Sequence, residues 1–230
     1  MISHDQAVAL LKKEKLVAIL RRVPQGKLMR VVDALMAGGV CVLECTFDHD
    51  QPGYIEDNCE KISAVRRAYG DALIVGCGTA ISAPEVEAAV SAGAQLVISP
   101  NTDLSVIARA RALGAVSIPG ALTPSEIVTA FNAGADLVKL FPAGELGLSY
   151  IKAVLAPLCH IPVTAVGGVK PENVSAFLDA GVSGFGVGSP LVPAAAVAAD
   201  DYGDITARAN AFTQAIRAWE ASHAREASAK

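Results

Sequence analysis

The chain has 230 residues, 52% of them hydrophobic and 5% aromatic, with a formal charge of −4 and a mean hydropathy of +0.42. That length suits one α/β barrel or one doubly wound domain, and the apolar content excludes a disordered chain. The charge balance, with no run of like sign, argues against a nucleic-acid partner or a polybasic membrane surface.

The opening Met1-Ile-Ser-His-Asp-Gln lacks the basic-then-apolar order of a secretory signal. No apolar stretch is long enough to span a bilayer without Gly, Pro or charge. Cys41, Cys45, Cys59, Cys77 and Cys159 form no C-x-x-C pair and mostly lie in apolar runs. They read as reduced core residues, so a soluble cytoplasmic protein is expected.

In chain order, a helix over about Asp5–Lys15 comes first, placed to cover the bottom of a barrel. Short apolar runs follow at Leu16–Arg21, Val40–Thr46, Ala72–Thr79, Gln95–Ser99, Ala115–Pro119, Asp136–Phe141, Pro162–Val166 and Gly184–Gly188, which read as eight strands. Between them lie amphipathic segments. Ser82-Ala-Pro84-Glu85, Thr123-Pro124-Ser125-Glu126 and Lys170-Pro171-Glu172-Asn173 are helix starts. Ala37-Gly38, Ala92-Gly93, Ala133-Gly134 and Ala180-Gly181 are helix ends, with glycine supplying the left-handed residue. The last helix, about Asp204–His223, carries Ile205, Ala209, Phe212, Ile216 and Trp219 on one face. Eight β-then-α units without a linker predict a single (β/α)8 TIM barrel over residues 1–222 with an extra N-terminal helix and a frayed tail, 223–230. An open doubly wound sheet is the alternative.

The most informative stretch is Asp136-Leu-Val-Lys139-Leu-Phe141-Pro142, a lysine inside an apolar strand. A buried amine is easily neutralised, and a neutral amine can condense with a ketone to a Schiff base, an electron sink that lets a neighbouring carbon–carbon bond break. A lysine that snorkels to solvent is the plainer reading. In a barrel, alternate strand residues point inward and active sites sit at the C-terminal strand ends. Leu137, Lys139 and Phe141 then share one face, as do Val40, Val42, Glu44 and Thr46. Glu44 and Lys139 in one interior suggest acid–base chemistry, or else a self-satisfied ion pair.

Arg21 and Arg22 end the first strand, where an arginine suits a carboxylate or phosphate; Arg22 reads better as a solvated surface residue. Thr79 follows Gly76-Cys77-Gly78, where a ligand can approach backbone and hydroxyl. Val166-Gly167-Gly168 and Gly186-Val187-Gly188-Ser189 end the last two strands, the places where barrels bind phosphate on exposed N–H groups; two tight turns are the alternative. His4, His49, His160 and His223 are scattered without metal-ligand spacing, and no G-x-G-x-x-G opens a helix after the first strand. Catalysis without metal or cofactor is expected, although Asp48 and Asp50 could bind Mg²⁺ weakly.

Taken in order, Val17-Ala-Ile-Leu-Arg21, Leu43-Glu44-Cys-Thr46, Val75-Gly76-Cys-Gly78-Thr79, Ile98-Ser-Pro100, Pro119-Gly120-Ala-Leu-Thr123-Pro124-Ser-Glu126, Val138-Lys139-Leu-Phe-Pro142-Ala and Gly167-Gly168 resemble the 2-keto-3-deoxy-6-phosphogluconate (KDPG) and 4-hydroxy-2-oxoglutarate (KHG) aldolases. The likeness runs from about Val17 to Leu191. It implies a homotrimeric barrel and a class I aldolase that releases pyruvate from a 2-keto-3-deoxy sugar acid. Lys139 would be the Schiff-base lysine and Glu44 the proton shuttle. Arg21 and Thr79 would hold the pyruvyl carboxylate, Phe141 would contact substrate, and Gly167, Gly168, Gly188 and Ser189 would hold the phosphate. Two positions depart from the phosphogluconate pattern: Asp48 stands where arginine is usual, and Ala165-Val166-Gly167-Gly168 replaces Pro-Thr-Gly-Gly. Ala165–Asn173 and Tyr150-Ile-Lys-Ala look more like the phosphogalactonate (KDPGal) branch. A phosphate-binding isomerase or decarboxylase, or a sugar-acid sensor, is the alternative outside the family.

Overall fold

The computed structural model describes residues 2–228. Among them the order is α1 (His4–Glu14), β1 (Leu16–Leu20), α2 (Gln25–Ala37), β2 (Val42–Thr46), α3 (Tyr54–Tyr69), β3 (Ile74–Gly78), α4 (Ala83–Ser91), β4 (Leu96–Ile98), α5 (Leu104–Ala112), β5 (Val116–Ile118), β6 (Gly120–Ala121), α6 (Pro124–Asn132), β7 (Val138–Leu140), α7 (Ala143–Leu155), β8 (Val163–Val166), α8 (Val174–Asp179), β9 (Gly184–Val187), α9 (Ala194–Ala198) and α10 (Tyr202–Ser228).

All pairings are parallel, in the order β5-β4-β3-β2-β1-β9-β8-β7-β6. The strand expected at Ala115–Pro119 is β5, and the chain runs on past it into β6, the two separated at Pro119, which has no N–H to give a ladder. The break still closes the cylinder. Asp136 N–H donates to Ser117 O at 3.0 Å, and Lys139 N–H donates to Pro119 O at 2.8 Å. One chain segment thus pairs with β4 on one side and β7 on the other, and the TIM barrel is complete.

Every residue of β1, β3 and β8 is buried because one face of each strand meets the lumen and the other the helices. The lower lumen is filled by Val17, Val42, Ile74, Leu96, Val116 and Leu137, with Ala7 and Leu11 of α1 in the same cluster. Residues four apart on a helix share a face, so α1 plugs the barrel bottom as its sequence position suggested. Ser3 starts that helix: its hydroxyl accepts from Gln6 N–H while Gln6 Oε1 accepts from Ser3 N–H.

Ser82 with Glu85 and Thr123 with Glu126 form the expected capping boxes. Gly93, Gly134 and Gly181 take the left-handed conformation at the expected helix ends. After α2 that residue is Gly39, not Gly38, because Gly38 instead lies against α10, where a Cβ would come 2.3 Å from that of Ala209. The last helix is longer than the Asp204–His223 span read from periodicity: it continues to Ser228, since Ala224-Arg-Glu-Ala contains no helix breaker. The segment set apart at 223 is therefore helical as far as residue 228; residues 229–230 lie outside the described residues.

Candidate active site

Lys139 sits at the centre of β7, between Gly120 of β6 and Thr164 of β8 in register. It is 7% exposed, and Glu44 on β2 is 2% exposed. Both line one small cavity in the lumen with Ile98, Ile118, Thr164 and Val166. Burial lowers the Lys139 ammonium from its ordinary pKa, the carboxylate of Glu44 opposes this, and the nearby Arg21 adds to it. Burial pushes Glu44 up to about 7, against the attraction of Lys139 and Arg21. The two groups make no salt bridge with each other; instead, Glu44 Oε2 is buried without a hydrogen-bond partner among the described residues. The self-satisfied ion pair is thus not what the barrel builds. Lys139 Nζ lies 5.0 Å from the centroid of the Phe141 ring, which covers it from the mouth side.

Space for the carboxylate comes from β3. Gly76 and Gly78 pair with Glu44 and Thr46, and a Cβ on Gly78 would lie 2.5 Å from Glu44 Cδ. The sequence marked these glycines only as a place of close approach; their partner could not be named before the register was known.

Above the lumen a cleft of about 420 Å³ opens at the C-terminal strand ends, lined by Arg21, Phe141, Gly167, Gly168, Gly188 and Ser189 among others. Ile19, Val166 and Gly186 belong to the walls of both cavities, which stack along the barrel axis. Gly167 and Gly168 have φ of 94° and 71°. They pack against the first turn of α7: Gly144 N–H donates to Gly167 O at 2.9 Å, and a Cβ on Gly168 would come 2.7 Å from Gly144 Cα. This close approach, rather than a tight turn alone, demands glycine there.

Thr79 lines neither cavity. It stands at the end of β3 with φ of 60°, a conformation costly for a β-branched residue. The turn is held from behind. Glu85, 2% exposed, accepts from Ile81 N–H at 2.7 Å, Ser82 N–H at 3.0 Å and Tyr54 O–H at 2.9 Å. His49 Nε2 lies 2.8 Å from Glu85 Oε1, the oxygen that also accepts from Tyr54, while the two backbone N–H groups share Oε2. The sequence showed Glu85 only as a capping acid; His49 and Tyr54 belong to a loop and helix whose approach no local pattern announces.

Asp48 does not face the lumen chemistry. Arg22 holds it by two hydrogen bonds, 2.9 and 3.0 Å, and reaches Asp50 at 3.0 Å. Arg22 is exposed as read from sequence, but paired, and it too borders the cleft. Among the described residues no cluster of three or more His, Cys, Asp or Glu could hold a metal, and no helix is long and apolar enough to cross a membrane. All five cysteines are free.

A lysine and a glutamate with opposed shifts lie buried below an open cleft lined by Arg21, Arg22 and glycines, and known proteins share this chain's pattern. The profile of the KDPG and KHG aldolases covers residues 8–208. The chain belongs to this family. It is an aldolase, a carbon–carbon lyase. Among its relatives, the 2-dehydro-3-deoxy-6-phosphogalactonate aldolase of Escherichia coli K12 is 38% identical over 78% of this chain and 85% of its own. The KHG/KDPG aldolase of the same organism is 34% identical over 75% and 78%. The native KDPGal structure superposes with a TM-score of 0.80 at 36% identity, over 89% of this chain and 95% of that one. The Legionella pneumophila KDPG aldolase, solved with pyruvate captured as a covalent carbinolamine, superposes with a TM-score of 0.80 at 25% identity, over 89% and 97%. Isomerase, decarboxylase and sensor readings fall away with family membership.

Proposed function

We propose that the chain cleaves a 2-keto-3-deoxy-6-phospho sugar acid to pyruvate and glyceraldehyde 3-phosphate. The observation that carries this is the buried, unbridged Lys139–Glu44 pair directly beneath the cleft. Lys139, its ammonium destabilised by burial, attacks the C2 ketone; carbinolamine forms and loses water to give the iminium. Glu44, poised near neutrality, takes the C4 hydroxyl proton as the C3–C4 bond breaks and later returns a proton to the enamine. Hydrolysis frees pyruvate and regenerates the amine. Arg21 holds the pyruvyl carboxylate from the cleft wall, and Thr79, outside both cavity linings, is assigned to it by family likeness alone; Phe141 walls the reacting end, and Gly167, Gly168, Gly188 and Ser189 bind phosphate through backbone N–H groups and the serine hydroxyl. No metal or cofactor enters these steps.

The galacto epimer is favoured. Val166 borders both cavities and presents methyl groups where a threonine would present a hydroxyl. Likeness to the phosphogalactonate aldolase supports the same choice. Ile81, Leu104 and Leu122 are exposed apolar side chains on the mouth side of the barrel, outside the cleft, which supports burial in a homotrimer. Five free cysteines support a cytoplasmic setting. The test is pyruvate release from KDPG, KDPGal and KHG in parallel, with and without chelator. Chelator-insensitive cleavage with KDPGal at or above KDPG is expected. Chelator-sensitive cleavage, or a preference for KHG, would overturn the assignment.

A further inference from the structure

Glu44 and Thr46 stand two residues apart on β2, so both side chains point into the barrel. Thr46 lies on the mouth side of Glu44, because the strands run toward the cleft. Glu44 Oε2 and Thr46 Oγ1 are both buried, and neither has a hydrogen-bond partner among the described residues. Folded interiors satisfy nearly all such groups, so two adjacent orphans mark a place where the partner arrives from outside. Their shared neighbour offers none: they pair with Gly76 and Gly78, which have no side chain to donate or accept, and the room beside these glycines is taken by Leu96 and by the Glu44 carboxylate itself. Lys139 and Thr164 border the same lumen from β7 and β8.

We infer that Thr46 is a second group acting on the reacting hydroxyl, its Oγ1–H donating to the substrate C4 oxygen while Glu44 receives that oxygen's proton. This rests on the aldolase mechanism proposed for Lys139. As the C3–C4 bond breaks, its electron pair enters the iminium and gives the enamine. The C4–OH proton passes to the Glu44 carboxylate, and C4=O forms. Negative charge builds on the C4 oxygen before the carbonyl is complete, and a donor fixed there steadies it. Glu44 cannot play both parts, because the oxygen it deprotonates needs a donor and not a second acceptor. The orphaned hydroxyl costs stability in the free enzyme and is satisfied only when substrate is bound.

The experiment compares Thr46→Val, which keeps the shape and removes the hydroxyl, with Thr46→Ser, which restores it. Three readings are taken: exchange of pyruvate C3 protons with deuterated water, steady-state cleavage of KDPGal and KDPG, and the thermal midpoint. Pyruvate exchange uses Lys139 and Glu44 but has no C4 hydroxyl. For Thr46→Val, exchange should stay within about twofold while cleavage kcat falls about tenfold to a hundredfold. KM should change little, the thermal midpoint should hold or rise, and Thr46→Ser should recover most of kcat. Unchanged cleavage, equal loss of exchange and cleavage, or a clear drop in midpoint would each overturn the inference. Absence of exchange in the unaltered enzyme would overturn the Lys139 mechanism and this inference with it, and is distinguishable because it appears without any substitution.

Discussion

The carboxylate of Glu44 occupies the space that a side chain on Gly78 would fill: a Cβ there would lie 2.5 Å from Glu44 Cδ. The carboxylate proposed as proton shuttle is therefore placed by an absent atom on the neighbouring strand. Gly78→Ala should push Glu44 off its position while leaving the backbone intact, since Gly78 is not in a positive-φ conformation. Overpacking should cost about 1–3 kcal/mol of stability. Cleavage should fall by about 10² or more as proton transfer is lost, with pyruvate still trapped on Lys139. Wild-type turnover in the alanine variant, measured by pyruvate release, would show that Glu44 does not need this placement.

The pH profile follows from the same burial. Glu44 must be ionised to accept the C4 proton, and burial raises it to about 7. Cleavage should therefore rise with pH through about 7 rather than near the ordinary carboxylate value of 4.5. Stability runs the other way. Between 4.5 and about 7 the folded protein binds a proton that the unfolded chain releases, so this group's contribution declines across that window and stays low above it. Glu44→Gln removes the titration. Its thermal midpoint should gain on the unaltered enzyme as pH rises from 5 to 8. A midpoint difference independent of pH would contradict the shift.

Glu85 is a positioning residue. Burial pushes its carboxylate up, but the donors Ile81 N–H, Tyr54 and His49 win and hold it below the usual range. Its stability contribution is present above the ordinary carboxylate value and fades as pH falls through the lower folded one. Glu85→Ala strands four groups and should cost about 2–4 kcal/mol. Releasing the strained Thr79 turn should also raise KM for pyruvate exchange more than it lowers kcat. A fall in stability with unchanged KM would make Glu85 a purely structural anchor.

Much of this was legible before the fold was known, and the reason is chemical. A lysine and a glutamate inside apolar strands contradict the pattern around them, so Lys139 and Glu44 stand out without any geometry. Strands, helix caps and the N-terminal plug follow from period and punctuation. What was not legible depends on register. Gly78 opposite Thr46, the orphaned hydroxyl, and His49 on Glu85 are relations between strands and loops far apart in sequence. The split at Pro119 and the run of α10 to Ser228 were local features that the broader pattern hid.

Val166→Thr tests the epimer reading. A hydroxyl added to the shared wall of lumen and cleft should shift the KDPG/KDPGal ratio of kcat/KM toward the gluco epimer, by about tenfold for one neutral hydrogen bond. Gly186, which packs on Val166, has no side chain to obstruct the exchange. An unaltered enzyme strictly specific for the gluco epimer, or a variant with an unchanged ratio, would remove Val166 from the specificity account.

The central claim is that Lys139 forms the Schiff base. Borohydride reduction in the presence of pyruvate, followed by peptide mass mapping, reads this directly. The mass of a reduced pyruvyl adduct should appear on Lys139 and nowhere else, with loss of activity in step with labelling. An unmodified Lys139 in an enzyme that still cleaves its substrate, or full activity in Lys139→Ala, would contradict the mechanism.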